Sequence, residues 1–362
     1  MQKNSITGWQ FCFLTLQTQM GMSALSMPSL IANKAGQDAW ISMILGGLIV
    51  QVIILMYMWL IVRCKNSSYF DFLAIVFGKV IGKFLLLLTI LYIIFIMILV
   101  TASYQQLITD WINIYTPGWI IVLLLLIPSL YLSIDSISLI ARFSMLISFL
   151  IPVLLIVVLF VYAEPQFFYL LPIGSEGLDS IIKGVIPAIA ALSGFEMILF
   201  TSHFLKGNKL AGLKKGMIGS GLVTLIYIYL IISVQIFFYI DELKIVPYPV
   251  LYIMKALSLM IIDRIDILFL TFWIIISTAV CVNYLFVAGI SMQSLFNLQA
   301  HRHMIMVTIT SIMIFIGSIF IDSKIEITEI QNQLFEVGVG LVVLIPFLTL
   351  IFSLITKRLG NN

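Results

Sequence analysis

The 362 residues are 62% hydrophobic and only 10% charged, with mean hydropathy +1.18 and formal net charge +3. This composition excludes a soluble globular domain, and the small basic excess forms no patch suited to nucleic acid. The chain reads as a polytopic membrane protein built from helices, since each crossing of a roughly 30 Å hydrocarbon core takes about 20 apolar residues.

In chain order, apolar runs predict ten spans at about 8–33, 38–62, 83–108, 119–134, 138–162, 181–205, 216–240, 266–290, 303–321 and 334–356. Two amphipathic stretches, 68–82 and 248–262, are expected along the interface. The first apolar segment lacks a small-residue cleavage site and is expected to stay as span one. Lys3, Arg63, Lys65, Lys79, Lys83, Arg142, Lys206, Lys209, Lys214, Lys215, Arg302, Lys357 and Arg358 fall on one side, which the positive-inside rule makes cytoplasmic together with both termini. The opposite side carries Lys34, Lys183, Lys244, Lys255, Arg264 and Lys324 with most acidic residues, among them Asp38, Asp110, Glu164, Asp241, Glu242, Asp322, Glu326 and Glu329. Cys12, Cys64 and Cys281 lie in spans or at the cytoplasmic edge and read as buried thiols.

Span one contains TQMGMSALSMPSLIANKAG, where Gly21, Ser23, Ser26, Pro28 and Ser29 interrupt an apolar helix. Span six answers it with Pro187 and the run Leu192-Ser193-Gly194-Phe195-Glu196, and Glu196 is the carboxylate placed nearest the midplane. Five spans per half give the halves 1–162 and 181–356 opposite orientations within a single transmembrane domain, 1–362. Transporters of this inverted design bind small polar ligands between two discontinuous helices at the midplane. Gly and small residues also serve plain helix packing, which is the competing account of each break.

The motifs MGMSALSMPSLIANKAGQDAWISMILGG, FGKVIGK and SGFEMILF, taken in order over the whole chain, resemble the B subunits of the nutrient germinant receptors of endospore-forming bacteria. The resemblance implies an all-α, ten-span LeuT-like fold of the amino acid–polyamine–organocation superfamily, with helices 1 and 6 discontinuous. It also implies a ligand-sensing subunit of the spore inner membrane, assembled with A and C subunits and binding a small nutrient such as an amino acid.

For the ligand site, Gly21 with the backbone of Met22 and Ala24 and the hydroxyl of Ser23 is expected to receive a carboxylate at the N-terminus of a half-helix. Ser193, Gly194, Phe195 and Glu196 form the opposing break. Glu196 either holds a ligand ammonium or, protonated, organises the loop by donating a hydrogen bond to backbone. Tyr92 is expected to form one wall, with Ile96 and Met97 as apolar lining. Ser277 and Thr278 stand where sodium-coupled relatives place ion-binding hydroxyls, although such side chains commonly bond back to their own helix. No lysine occurs in span five, where some proton-coupled relatives use one.

His203, His301 and His303 show no metal-ligand spacing. The segment 206–215 is a topology determinant that can also meet anionic lipid. No cofactor motif, catalytic pair or phosphate loop is present, so an enzyme is not expected. The runner-up function is an amino-acid symporter or exchanger, and the third is a channel, which would need a polar stripe beyond Thr101, Ser103, Gln105 and Gln106.

Overall fold

A computed structural model describes residues 5–64, 67–112, 115–163, 165–256 and 264–321, then 327, 330–331, 333–334 and 337–355. Lys3, Lys65, Glu164, Asp322, Lys324, Glu326, Glu329, Lys357 and Arg358, used above for orientation, lie outside the described residues. Among the described residues the secondary structure is helical, and the only pairing of extended backbone is one isolated bridge.

Span one is α1 (Gly8–Gln19) and α2 (Ser23–Ala35). Thr7 starts α1 with a reciprocal capping box, its hydroxyl taking the Gln10 N–H while the Gln10 side chain takes the Thr7 N–H. Span two is α3 (Ala39–Arg63), followed by the short α4 (Tyr69–Phe77), whose Tyr69, Phe70, Phe72 and Leu73 are buried. Spans three and four are α5 (Lys79–Trp111) and α6 (Gly118–Ser133). Span five runs through α7 (Ile137–Ser148) and α8 (Leu150–Val158), and span six through α9 (Gly177–Ala191) and α10 (Met197–Thr201).

Span seven, α11 (Lys209–Gln235), begins and ends several residues before the range predicted from hydropathy. Asn208 caps it by accepting the Ala211 N–H, and Lys215 lies over the Trp9 ring at 4.8 Å, so polar residues ride on the helix with their stems on apolar surface. Next come α12 (Ile240–Ile245) and α13 (Pro249–Ala256). Buried Val250, Leu251, Ile253 and Met254 pack one face of α13 onto α2 and span eight, while Tyr252 and Lys255 on the other face stay exposed. The rest of its predicted stretch, 257–262, lies outside the described residues. Span eight is α14 (Ile265–Phe296), span nine α15 (His303–Ile319), and span ten a π-helical segment, Val339–Leu344, leading into α16 (Ile345–Ile355).

The core is organised by the two broken spans and α11. Gly212, Gly216 and Gly219 place the α11 backbone directly against span one and the end of span six: a Cβ at Gly219 would sit inside the Cys12 carbonyl contact, and one at Gly216 would meet the Phe11 ring at 2.5 Å. Dispersion over such backbone-close surfaces holds helices together where lipid offers no hydrophobic contrast. Gly184 and Gly46 do the same for α9 against α2 and α3, facing Ala35, Ser42 and Ala188. At the N-terminal face, Ile6 pairs with the chain leaving span six: its N–H donates to Phe204 O (2.9 Å) and its carbonyl accepts from Lys206 N–H (3.0 Å). Ser138 at the start of α7 donates to Ser5 O at 2.8 Å, adding span five to the same stitch.

This packing predicts opposite results for two glycines of α11. Gly219→Ala is expected to destabilise by about 1–3 kcal/mol through overpacking, read as a lower thermal unfolding midpoint in detergent. Gly221→Ala, whose new methyl meets only Gln51 Nε2 at an ordinary 3.5 Å, is expected to be neutral or stabilising, because alanine is the better helix former.

Candidate functional site

The helix of span one ends where Met20 leaves the helical region (φ −82°, ψ 64°), and Gly21 turns its N–H back to Gln19 O at 3.0 Å. Such a break frees carbonyls that hydrocarbon cannot solvate. The protein satisfies the Gln19 carbonyl with the Tyr227 hydroxyl of α11 at 2.6 Å. On the following half-helix, Ser23 donates to Ala191 O (3.1 Å), the last residue of α9, which joins the two breaks directly.

Span six turns at Gly194, whose φ of +111° is a conformation L side chains rarely adopt. A Cβ there would also lie 2.9 Å from Thr18 O, so glycine serves both the turn and the approach of one break to the other. Glu196 is 1% exposed and closes the turn by accepting the Gly194 N–H at Oε2 (2.8 Å) and the Tyr284 hydroxyl at Oε1 (2.6 Å). It therefore meets the loop as an acceptor, the reverse of the donating role anticipated for a protonated acid. Phe195 stacks on Tyr57 at 6.1 Å, and the Tyr57 hydroxyl bonds to Val342 O in the π-helical segment of span ten.

The sequence-derived residues separate into groups. Gly21, Met22, Ser23, Ala24, Ser193, Gly194, Phe195 and Glu196 lie on the two facing breaks. Gly21 is half-buried, and a Cβ on it would come no nearer than 4.0 Å to a neighbour, Val280, so close helix packing is not what requires glycine there. Ser277 reaches span one through Met22 Sδ at 3.7 Å, whereas Thr278 bonds back to Ile274 O at 2.9 Å. Tyr92 is directed at span ten, where its ring and hydroxyl fill the space a side chain at Gly338 would need. Ile96 is half-buried against the apolar core, and Met97 is buried within it.

Several residues of the site escaped the sequence reading. Gln17 donates to Ile276 O (3.2 Å) and accepts from Ser148 Oγ (3.1 Å), while Asn283 donates to Thr18 Oγ1 (2.8 Å) and accepts from Ser144 (3.4 Å). Neutral side chains thus bind spans one, five and eight together at the break. Gln19 accepts from Ser220 of α11 at 3.2 Å. The signal was present: Gln17, Thr18 and Gln19 are three polar residues directly before the break, and Asn283 and Tyr284 are polar residues inside an apolar span. An apolar pocket touches the break at Met20, lined further by residues of spans five, seven and eight, including Leu154, Leu230, Phe269 and Trp273.

Comparison with known proteins gives one family and one fold. The family described as "Spore germination protein" matches residues 5–325. The chain is 27% identical to spore germination protein GerQB of Bacillus cereus, over 74% of each chain. It is 24% identical to spore germination protein A2 of Bacillus subtilis (strain 168), over 96% of this chain and 95% of that one. Among solved structures, a Na+-coupled sialic acid symporter in a substrate-bound outward-open state superposes with TM-score 0.71 at 11% identity, covering 98% of this chain and 80% of its own. MhsT in complex with L-phenylalanine gives 0.65 at 14%, covering 99% and 100%. The transporter fold with discontinuous spans one and six, expected from the sequence, is thereby confirmed.

Two substitutions at Glu196 separate its hydrogen bonding from its charge. Glu196→Gln keeps an acceptor for the Gly194 N–H and turns its amide toward the Tyr284 oxygen, so its unfolding midpoint is expected to stay near wild type. Glu196→Ala leaves both donors unpaired at about 1–3 kcal/mol each, and its midpoint is expected to fall clearly. Any ligand-response defect of Glu196→Gln then reports on charge and not on loop integrity.

Proposed function

We propose a function from one premise: the chain belongs to the spore germination protein family, which matches most of its length. In this reading it is the ligand-sensing membrane subunit of a nutrient germinant receptor, working with A and C subunits in the spore inner membrane with both termini in the cytoplasm. Its halves, 1–162 and 181–356, close on a small nutrient, an amino acid in the first instance, at the facing breaks. The observation that carries the reading is the direct contact of those breaks, Ser23 to Ala191 and Gly194 to Thr18. A ligand entering there exchanges these internal contacts for its own and so has different affinity for the closed and opened arrangements, which is the condition for it to shift their populations.

A transport function has the same fold in its favour. The side-chain network of Gln17, Ser148, Asn283 and Thr18 supports sensing over ion-coupled transport, because the oxygens and amides where spans one, five and eight meet are already bonded to one another. Among the described residues no carboxylate or lysine is hydrogen-bonded to them.

The test uses spores of the host lacking this gene and its redundant homologues, challenged with single amino acids and nucleosides. Wild-type complementation is expected to restore germination to one nutrient. Gly21→Val is expected to reach normal protein levels, given the open space at that position, and to raise the nutrient concentration for half-maximal response at least tenfold. A Gly21→Val response equal to wild type, or restored nutrient uptake with no germination phenotype, overturns the sensing reading.

A further inference from the structure

Asp38 sits at the turn between α2 and α3, 0% exposed. It precedes the first residue of α3, yet its carboxylate makes no capping bond to that helix. Instead Oδ1 accepts the Gly174 N–H at 2.8 Å from the loop before α9, and Oδ2 is buried with no hydrogen-bond partner. A buried carboxylate oxygen without a donor or cation is costly. Among the described residues the ion pairs engage Asp179, Asp241 and Asp266, and none reaches Asp38.

A second oxygen in the same surroundings is also unpaired. Gln235, 2% exposed at the end of α11, donates its Nε2 to Gln37 O at 2.8 Å. That bond to a carbonyl fixes which way the amide points, and the remaining Oε1 is buried without a partner. Because the two heteroatoms of an amide are only about 2.2 Å apart, Oε1 lies within a few bond lengths of the peptide that links Gln37 to Asp38. A second carboxylate reaches the same turn from the residue before α9. Glu176 lies against Gly36, where φ is +54° and an added Cβ would overlap the Glu176 side chain. Glycine here lets the carboxylate approach the backbone.

We propose that this turn is a binding site for a hard divalent cation, held by Asp38 and Gln235 with Glu176 completing its charge. Two carboxylates match a charge of +2, and a mixture of carboxylate and amide oxygens from separate segments suits calcium better than magnesium, which needs a tighter octahedron. The bound ion joins the α2–α3 turn to the end of α11 and to the loop before α9. It therefore ties the second half of span one to the first half of span six at the face opposite the N-terminus. The proposal stands independently of what the midplane site binds. The competing account leaves the Asp38 charge to the positive N-terminal end of α3 and to water.

The test is thermal unfolding of the full-length chain in lipid nanodiscs with CaCl2, MgCl2 or tetramethylammonium chloride at equal ionic strength. A saturating Ca2+ concentration is expected to raise the midpoint by about 3–4 °C over the tetramethylammonium control, with a smaller effect of Mg2+. Asp38→Asn is expected to abolish the shift. Glu176→Gln is expected to raise the half-effect concentration about tenfold, and because its side chain is exposed, it decides the question alone if Asp38→Asn fails to fold. No Ca2+ shift in the wild type overturns the proposal in favour of dipole and water. A shift of equal size and midpoint concentration in wild type and variants assigns the effect to cation binding elsewhere and overturns it equally.

Discussion

A helix interrupted in the middle of a bilayer leaves peptide groups that the surroundings cannot hydrate, and the architecture of this protein follows from that constraint. The solution is reciprocal. Span one closes its exposed carbonyl with a tyrosine from α11, span six closes its turn with its own glutamate, and each places an atom against the other's break. Neither interruption is self-sufficient. The glycines that bring α11 and α9 close to span one are the packing counterpart of the same requirement, since a hydroxyl of ordinary reach satisfies a distant carbonyl only when backbones nearly touch.

Satisfying these groups internally has a second effect. Thr18, Gln19, Ser23 and Glu196 are held by partners from spans six, seven and eight, so polar bonds at the centre of the protein join the helices inside an apolar shell. Such bonds are sensitive to any newcomer offering competing hydrogen bonds. In the sensing function proposed above, this would link a small polar molecule at the breaks to relative motion of whole spans without requiring the molecule to pass through.

Much of this was legible in the sequence. Hydropathy located the spans, and the breaks at Gly21 and Gly194 were marked by clusters of helix-disrupting residues at the same ordinal span of the two halves, which plain helix packing does not call for. α11 begins before its hydropathy range because Lys209, Lys214 and Lys215 lower hydropathy without ending the helix, and Lys215 rests on Trp9. The acceptor role of Glu196 and the contributions of Tyr227, Tyr284 and Asn283 depend on which faces of spans seven and eight turn toward span one. Hydropathy carries no such information in spans that are apolar nearly all round. Tyr92 illustrates the reverse: depth in the bilayer was readable, but its azimuth, toward Gly338 of span ten, was not.

The stitch between Ile6 and the residues leaving span six is made of two main-chain hydrogen bonds, one on either side of the same residue. It ties the half-helix α1 to the half-helix α10 at their outer ends, while Gly194 packs closely against Thr18 at the centre. Two rods fastened at both ends behave as a single lever. Opening the N-terminal face must either carry α1 and α10 as one body or give up both bonds together. Because the fastening uses backbone atoms, it requires no particular hydrogen-bonding side chain at Ile6, Phe204 or Lys206, and a substitution there leaves the lever jointed at the same two points.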